Sequence, residues 1–242
     1  MNSYLMTDKG LTRHTNQDDV LGVVKNNGDA LYVLCDGMGG HIGGALACKK
    51  CINVFKKEFA KSRYTNSEEA KAWLYKMILK ANKEIIDIGN KDTGLRGMGT
   101  TVVCVIVSEK FKVFASVGDS RIYSYNKKSL VQLSEDQTFA AALYKAGYIN
   151  KKEAKNHPRR NMLLCAVGSV PNNALDVQIK DIIGDDNYLI CSDGLYNMIE
   201  DSRIKEILNE NITIKEKVDK LIEEANDNGG FDNISVILLE GE

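Results

Sequence analysis

Proline is nearly absent from this sequence: there are two in 242 residues, Pro158 and Pro171, and both fall in an irregular 157–175 region. With no internal repeat and no low-complexity tract, no linker divides the chain, whose length suits one large domain or two small ones. No stretch of about 18 apolar residues occurs, which excludes a membrane-spanning helix. The opening MNSYLMTDKG lacks a basic segment leading into an apolar one, so no secretory leader is expected and the chain reads as cytoplasmic. An excess of either charge is also missing, since 32 Lys and Arg stand against 33 Asp and Glu. No global positive field recruits nucleic acid or an anionic membrane.

Histidine is scarce. His14, His41 and His157 are scattered without zinc-site spacing and are expected at the surface or in turns. Six cysteines do not make a disulfide framework, and Cys35, Cys104, Cys165 and Cys191 stand in apolar segments. Cys48 and Cys51 have redox or zinc spacing, but no second pair exists. Together with Ile52, Phe55 and Phe59 they form a helical apolar stripe, so both are expected as reduced thiols in a core. The phosphate loop G-x-x-x-x-G-K-[ST] is absent, and a dinucleotide loop begun at Gly37 and Gly39 meets Ile42 where glycine is required.

What is present is a series of short apolar runs with strand character: 20–24, 30–35, 101–107, 112–117, 121–125, 176–179, 188–191 and 234–239. Links such as KNNGD (25–29), EK (109–110) and NKKS (126–129) are too short for a crossover helix, so the neighbouring strands should be antiparallel. Two long helical patterns interrupt them, from Gly44 to about Arg63 and from Asn66 to Ile88. Asn66 and Glu69 can cap the second and Gly89 can close it. Further helices are expected near 136–146, 151–156, 202–209 and 214–227. The order implies an α+β layered sandwich, with antiparallel sheet at the centre and helices outside.

Four aspartates abut the most apolar runs. Asp36 follows YVLC, Asp119 follows FASVG, Asp193 follows LICS and Asp232 precedes NISVILLE, each with glycine adjacent or close by. Singly, each fits an ordinary turn. Together, carboxylates converging from strand ends are costly unless cations neutralise them, and an all-oxygen set suits Mg²⁺ or Mn²⁺. Two such cations bridged by Asp36 would bind phosphate and acidify a water for in-line attack on phosphorus. Arg13, a solvated surface arginine on its own merits, is a candidate to hold the remaining phosphate oxygens.

The ordered segments TDKGLTRHTNQDD (7–19), LCDGMGGHIGG (34–44), GMGTTVV (97–103), ASVGDSRIY (115–123), LSEDQT (133–138), HPRRNMLLCAVGS (157–169), ICSDGLYNMI (190–199) and GGFDNISVILL (229–239) resemble the PPM family, the metal-dependent serine/threonine protein phosphatases of type 2C, in its compact bacterial form. The resemblance implies a single catalytic domain over 1–242: a β-sandwich of two antiparallel sheets flanked by pairs of α-helices, four layers in the order αββα. It implies Asp36 as the bridge between two metals, Gly37 as a carbonyl ligand, Asp193 and Asp232 in the second metal's shell, and Asp119 at a third, weaker metal. Asp18 matches a position close to the metal waters, Arg13 the phosphate-binding arginine, and residues from about 139 to 165 a flap beside the site. The implied activity is hydrolysis of phosphoserine and phosphothreonine on proteins with Mn²⁺ or Mg²⁺, by a monomer that opposes a cognate kinase. A phosphoprotein-sensing member of the fold and a phosphatase of small metabolites are the alternatives. Met38 and Gln137 stand where some members have histidine, which leaves the general acid unassigned.

Overall fold

The run Ala30–Cys35 buries all six of its side chains, which a strand achieves only with a packed layer on each face. The computed structural model, which describes residues 1–184 and 187–241 with the side chains of residues 40 and 41 left outside that description, supplies both layers. Leu31, Val33 and Cys35 point into one apolar cluster, and Ala30, Tyr32 and Leu34 into another.

In chain order the strands and helices are β1 (Asn2–Asp8), β2 (Asp19–Val24), β3 (Ala30–Cys35), β4 (Gly37–Met38), α1 (Gly40–Phe59), α2 (Ser67–Lys91), β5 (Gly99–Thr100), β6 (Val102–Val107), β7 (Lys112–Val117), β8 (Arg121–Tyr125) and β9 (Leu130–Gln132). They continue with α3 (Phe139–Lys145), α4 (Lys151–Lys155), β10 (Gln178–Ile182), β11 (Asn187–Cys191), α5 (Asp193–Tyr196), α6 (Asp201–Leu208), α7 (Ile214–Asp227) and β12 (Ile234–Glu240). One antiparallel sheet has the order β1-β12-β11-β8-β9 and the other β10-β7-β6-β3-β2; β4 and β5 form a two-stranded ribbon. The three short links do join antiparallel neighbours, β2 to β3, β6 to β7 and β8 to β9.

The layering follows from the period-2 alternation. Tyr32, Val105, Phe114, Ile190, Ile237 and Leu239 face each other between the sheets. The opposite faces are covered by helices. Cys48, Cys51, Ile52, Phe55 and Phe59 of α1 join Leu74, Met77, Ile78, Ala81 and Ile85 of α2 over β3, β6 and β7. On the other side Ile204, Ile207 and Leu208 of α6 join Val218, Leu221, Ile222 and Ala225 of α7. The expected four layers are therefore present, and all six cysteines are buried free thiols. No helix among the described residues is long and apolar enough to cross a membrane.

Two local readings change. The first strand is not 20–24 but β1, which pairs along its length with β12; Tyr4 and Met6 face the outer cluster and Leu5 the inner one. Its polar residues Asn2, Ser3, Thr7 and Asp8 obscured the alternation. Asn66 caps α2 as expected, accepting from the Glu69 N–H at 2.9 Å, but Gly89 does not close it. The helix continues to Lys91, and Gly89 is buried where a Cβ would lie 3.0 Å from the Leu95 carbonyl oxygen. In the sheet, Ile237 lies at the centre of the inter-sheet layer, opposite Leu5 and Ile190. Ile237→Ala should cost about 3 kcal/mol, read as a lower denaturation midpoint at unchanged m-value.

Candidate active site

Antiparallel register brings the polar strand ends together. Asp19 opposes Cys35, Val117 opposes Val102, Cys191 opposes Val236 and Asp8 opposes Ile234. The residues just beyond β3, β7 and β11 and just before β12 therefore emerge at one end of the sandwich. These are Asp36, Asp119, Asp193 and Asp232. They line one pocket of about 380 Å³ together with Gly37, Met38 and Arg13. Asp18 does not line it; its buried carboxylate sits behind, accepting from the Ser235 hydroxyl at 2.7 Å.

Each aspartate is anchored through its neighbours. The Asp36 carbonyl accepts from the Thr101 N–H at 2.8 Å and the Thr100 hydroxyl at 2.9 Å, while its own N–H donates to Thr101 Oγ1 at 3.1 Å. Thr101 Oγ1 lies 2.7 Å from the hydroxyl of Ser120, which ties Asp36 to the loop carrying Asp119. Asp193 opens α5 and accepts from Asn197 Nδ2 at 3.0 Å. Gly37 is pressed so closely against its surroundings that a Cβ would lie 2.5 Å from the backbone of Gly44 and 2.7 Å from the Gln17 carbonyl. Only glycine fits there.

The cluster is electrostatically strained. Burial pushes the Asp36 and Asp193 carboxyls well above the usual carboxylate range, and their mutual repulsion and that of Asp18 and Asp119 add to it. Burial raises Asp18 to about 6 and Asp119 to about 7. Four carboxylates and one guanidinium line the pocket, and that guanidinium, of Arg13, donates from Nη2 to Asp232 Oδ2 at 2.6 Å. Asp18 Oδ1 is buried and accepts no hydrogen bond among the described residues. Such a set fits hard divalent cations, which would neutralise the charge and take up spare oxygen acceptors. Among the described residues no three His, Cys, Asp or Glu side chains form a ready-made cation cage.

These contacts belong to a recognisable sequence family. A protein phosphatase 2C profile matches residues 11–229. The chain belongs to the protein phosphatase 2C family. It is 38% identical over 242 residues to the serine/threonine phosphatase stp of Listeria monocytogenes, covering 99% of this chain and 96% of the relative. The solved structure of serine/threonine phosphatase Stp1 from Staphylococcus aureus superposes with a TM-score of 0.92 at 34% identity, covering 99% of this chain and 94% of that one. The serine/threonine phosphatase of S. agalactiae gives 0.92 at 32%, covering 100% and 99%. This 2C-type phosphatase acts on phosphorylated serine and threonine in proteins, and phosphatases of the family are metal-dependent.

Sequence reasoning passed over several residues that hold the 2C-type site together. Asn233 accepts from the Gln17 N–H at 2.8 Å and donates to the carbonyls of Lys9 at 2.8 Å and Thr15 at 3.1 Å, which pins the loop bearing Arg13 against Asp232. Its adjacency to Asp232 was the available signal. Arg121 makes a two-toothed pair with Asp136 at 2.9 and 2.6 Å and stacks 3.4 Å above the Tyr196 ring, whose hydroxyl donates to the Asp119 carbonyl at 3.0 Å. His14 is an exposed turn residue, as expected, and also lines the pocket; His157 stands in a turn, its Nδ1 accepting from the Arg159 N–H. The His41 side chain lies outside the described residues. In the flap, α3 and α4 cover a cleft of about 710 Å³ that shares Asp119 and Asn161 with the pocket.

Two outcomes follow from these charges. Asp136→Ala should destabilise the fold by about 3 kcal/mol or more, because it strands the largely buried Arg121 guanidinium; thermal unfolding measures it. The second concerns pH. Asp18 and Asp119 keep their protons to about pH 6 and 7 in the folded chain, against ~3.9 in an unfolded one. The folded state then binds more protons between those limits, so stability falls as pH rises through them. Carboxylates depressed by partners, such as Asp181 beside Lys71, act in the opposite sense at lower pH. With a chelator present, melting should occur some degrees higher at pH 5.5 than at pH 7.5, and Asp193→Asn should shrink the difference.

Proposed function

We propose that this phosphatase works with two divalent cations, Mn²⁺ or Mg²⁺, held by Asp36, the Gly37 carbonyl, Asp193 and Asp232, with a weaker third at Asp119. The observation that carries this reading is the convergence of four carboxylates from four strand ends, with Arg13, in one pocket. Mg²⁺ and Mn²⁺ keep several water ligands, so a mixed shell of carboxylate, carbonyl and water oxygens serves where no all-protein cage is built. Bound there, the cations would supply charge neutralisation at the phosphoryl oxygens and a water acidic enough to act as nucleophile at neutral pH.

The chain's own residues do the rest. Arg13 presents a guanidinium whose Nε is held by the Phe231 carbonyl at 3.3 Å, so its fork faces the pocket and can take two phosphoryl oxygens. Asp18, behind the pocket, commits Oδ2 to Ser235 and acts through its neighbour Asp36 as a positioning residue. Met38 carries no proton to give. Gln137 is occupied, accepting from the Gly118 N–H at 2.7 Å and donating to Asp176 at 2.9 and 3.0 Å. Neither position serves as general acid, and a water in the pocket would give the leaving serine or threonine oxygen its proton.

On this reading the partners are phosphorylated proteins and the serine/threonine kinase that makes them, met in the cytoplasm by a monomer. The test is phosphate release from a phosphothreonine peptide. It should require Mn²⁺ or Mg²⁺, stop with chelator, and fall about 10²-fold or more in Asp232→Ala, while Arg13→Ala raises KM about tenfold. Release that persists through both chelation and Asp232→Ala would sink the metal reading.

A further inference from the structure

The loop that carries Arg13 and the loop that carries Asp232 are fastened to each other by their backbones. The N–H groups of Leu11 and Thr12 donate to the Gly230 carbonyl at 2.9 and 3.2 Å, and the Thr12 hydroxyl donates to the Phe231 carbonyl at 2.9 Å. This pairing sorts the side chains. Thr12, Arg13 and Asp232 turn into the pocket, while Leu11 and Phe231 turn out, 69% and 61% exposed.

The two outward side chains share a floor. A Cβ on Gly230 would lie 2.9 Å from Leu11 Cγ, and one on Gly229 would lie 2.7 Å from the Phe231 ring. Leu11 thus rests on Gly230 and Phe231 on Gly229, and the positive φ of both glycines, 51° and 124°, makes the turn that lets them do so. The result is a small apolar shelf, rigidly joined to the group that would hold the phosphoryl oxygens. Isolated exposed apolar residues are ordinary. Two on neighbouring glycines, Leu11 two residues from Arg13 and Phe231 one from Asp232 on a paired backbone, form a surface beside the pocket-lining residues Thr12, Arg13 and Asp232.

The geometry points to this shelf as the recognition surface for the polypeptide around the phosphorylated residue, with Leu11 and Phe231 receiving an apolar side chain within two residues of the phosphoserine or phosphothreonine. The inference rests on the phosphatase reading of the pocket. Its occupant is the substrate because the shelf and Arg13 are carried by the same hydrogen-bonded loop pair, so a chain whose phosphoryl group reaches Arg13 brings its flanking side chains beside Leu11 and Phe231.

The test compares two substrates under Mn²⁺. One is a panel of phosphothreonine peptides carrying Leu, Ala or Glu at each position within two residues of the phosphate; the other is an aryl phosphate with no flanking residue. The wild-type chain should favour Leu over Glu at one position by about five- to tenfold in kcat/KM. Leu11→Ser should abolish most of that preference and leave aryl phosphate turnover unchanged, and Phe231→Ser should reduce the preference likewise, read as the ratio of the two peptides. Equal kcat/KM across the wild-type panel overturns the inference, as does a preference that survives both substitutions. A concentration-dependent dimer in sedimentation that dissolves in Leu11→Ser, with the peptide ratio unchanged, would assign the shelf to self-association and overturn it too. Failure of the wild-type chain to hydrolyse the aryl phosphate at all would instead defeat the underlying reading of the pocket.

Discussion

Like charges held together out of water are the constraint around which this molecule is arranged. Asp36, Asp193 and Asp119 repel one another in a setting that desolvates them, and nothing in their own side chains relieves it. The rest of the structure keeps them from moving apart. Strand register places their Cα atoms, the Thr100 and Thr101 contacts grip Asp36, and the Arg121 guanidinium braces the Asp119 backbone through Tyr196. Hydrophobic layers on both faces of each sheet supply the stability against which this repulsion is held. Such a cluster is disadvantageous for folding and useful for gathering cations, which is the usual relation between a strained site and its function.

The substrate side is built differently. Arg13 lies on a segment without strand or helix, where backbone entropy would ordinarily scatter it. Asn233 and the Gly230 and Phe231 carbonyls replace secondary structure as the anchor, so a long side chain is delivered at a defined place. The flap is held more lightly. Lys145 with Glu135 and Lys155 with Glu200 join it to the body, and all four side chains are well exposed, so these ion pairs contribute little. The pocket therefore has a firmly anchored arginine on one side and a lightly attached cover on the other.

The two positions where family members of another type carry histidine show how one fold adjusts its chemistry. Gln137 has become structural, closing the Gly118 turn and holding Asp176, while Met38 pairs with Gly99 in the small ribbon. Neither side chain offers a titratable proton to the pocket.

Much of this was legible without coordinates. Apolar runs of strand length, short links and helical stripes determined the layered α+β order, because burial imposes periods of 2 and 3.6 on any sequence that packs this way. The placement of four aspartates at strand ends was equally visible, since strand ends are local. The outer strand β1 was not, because a half-polar strand takes its identity from its partner β12. Nor were Asn233, the Arg121–Asp136 pair, the position of Asp18 behind the pocket, or the Leu11–Phe231 shelf: each depends on contacts between residues far apart in the chain. The sequence by itself determined which elements form and which carboxylates stand at their ends. Only the tertiary structure decided that those ends meet, that their charges strain one another, and that two distant loops zip into one pocket-facing unit, because through-space repulsion and hydrogen bonding follow distance in the fold rather than distance along the chain.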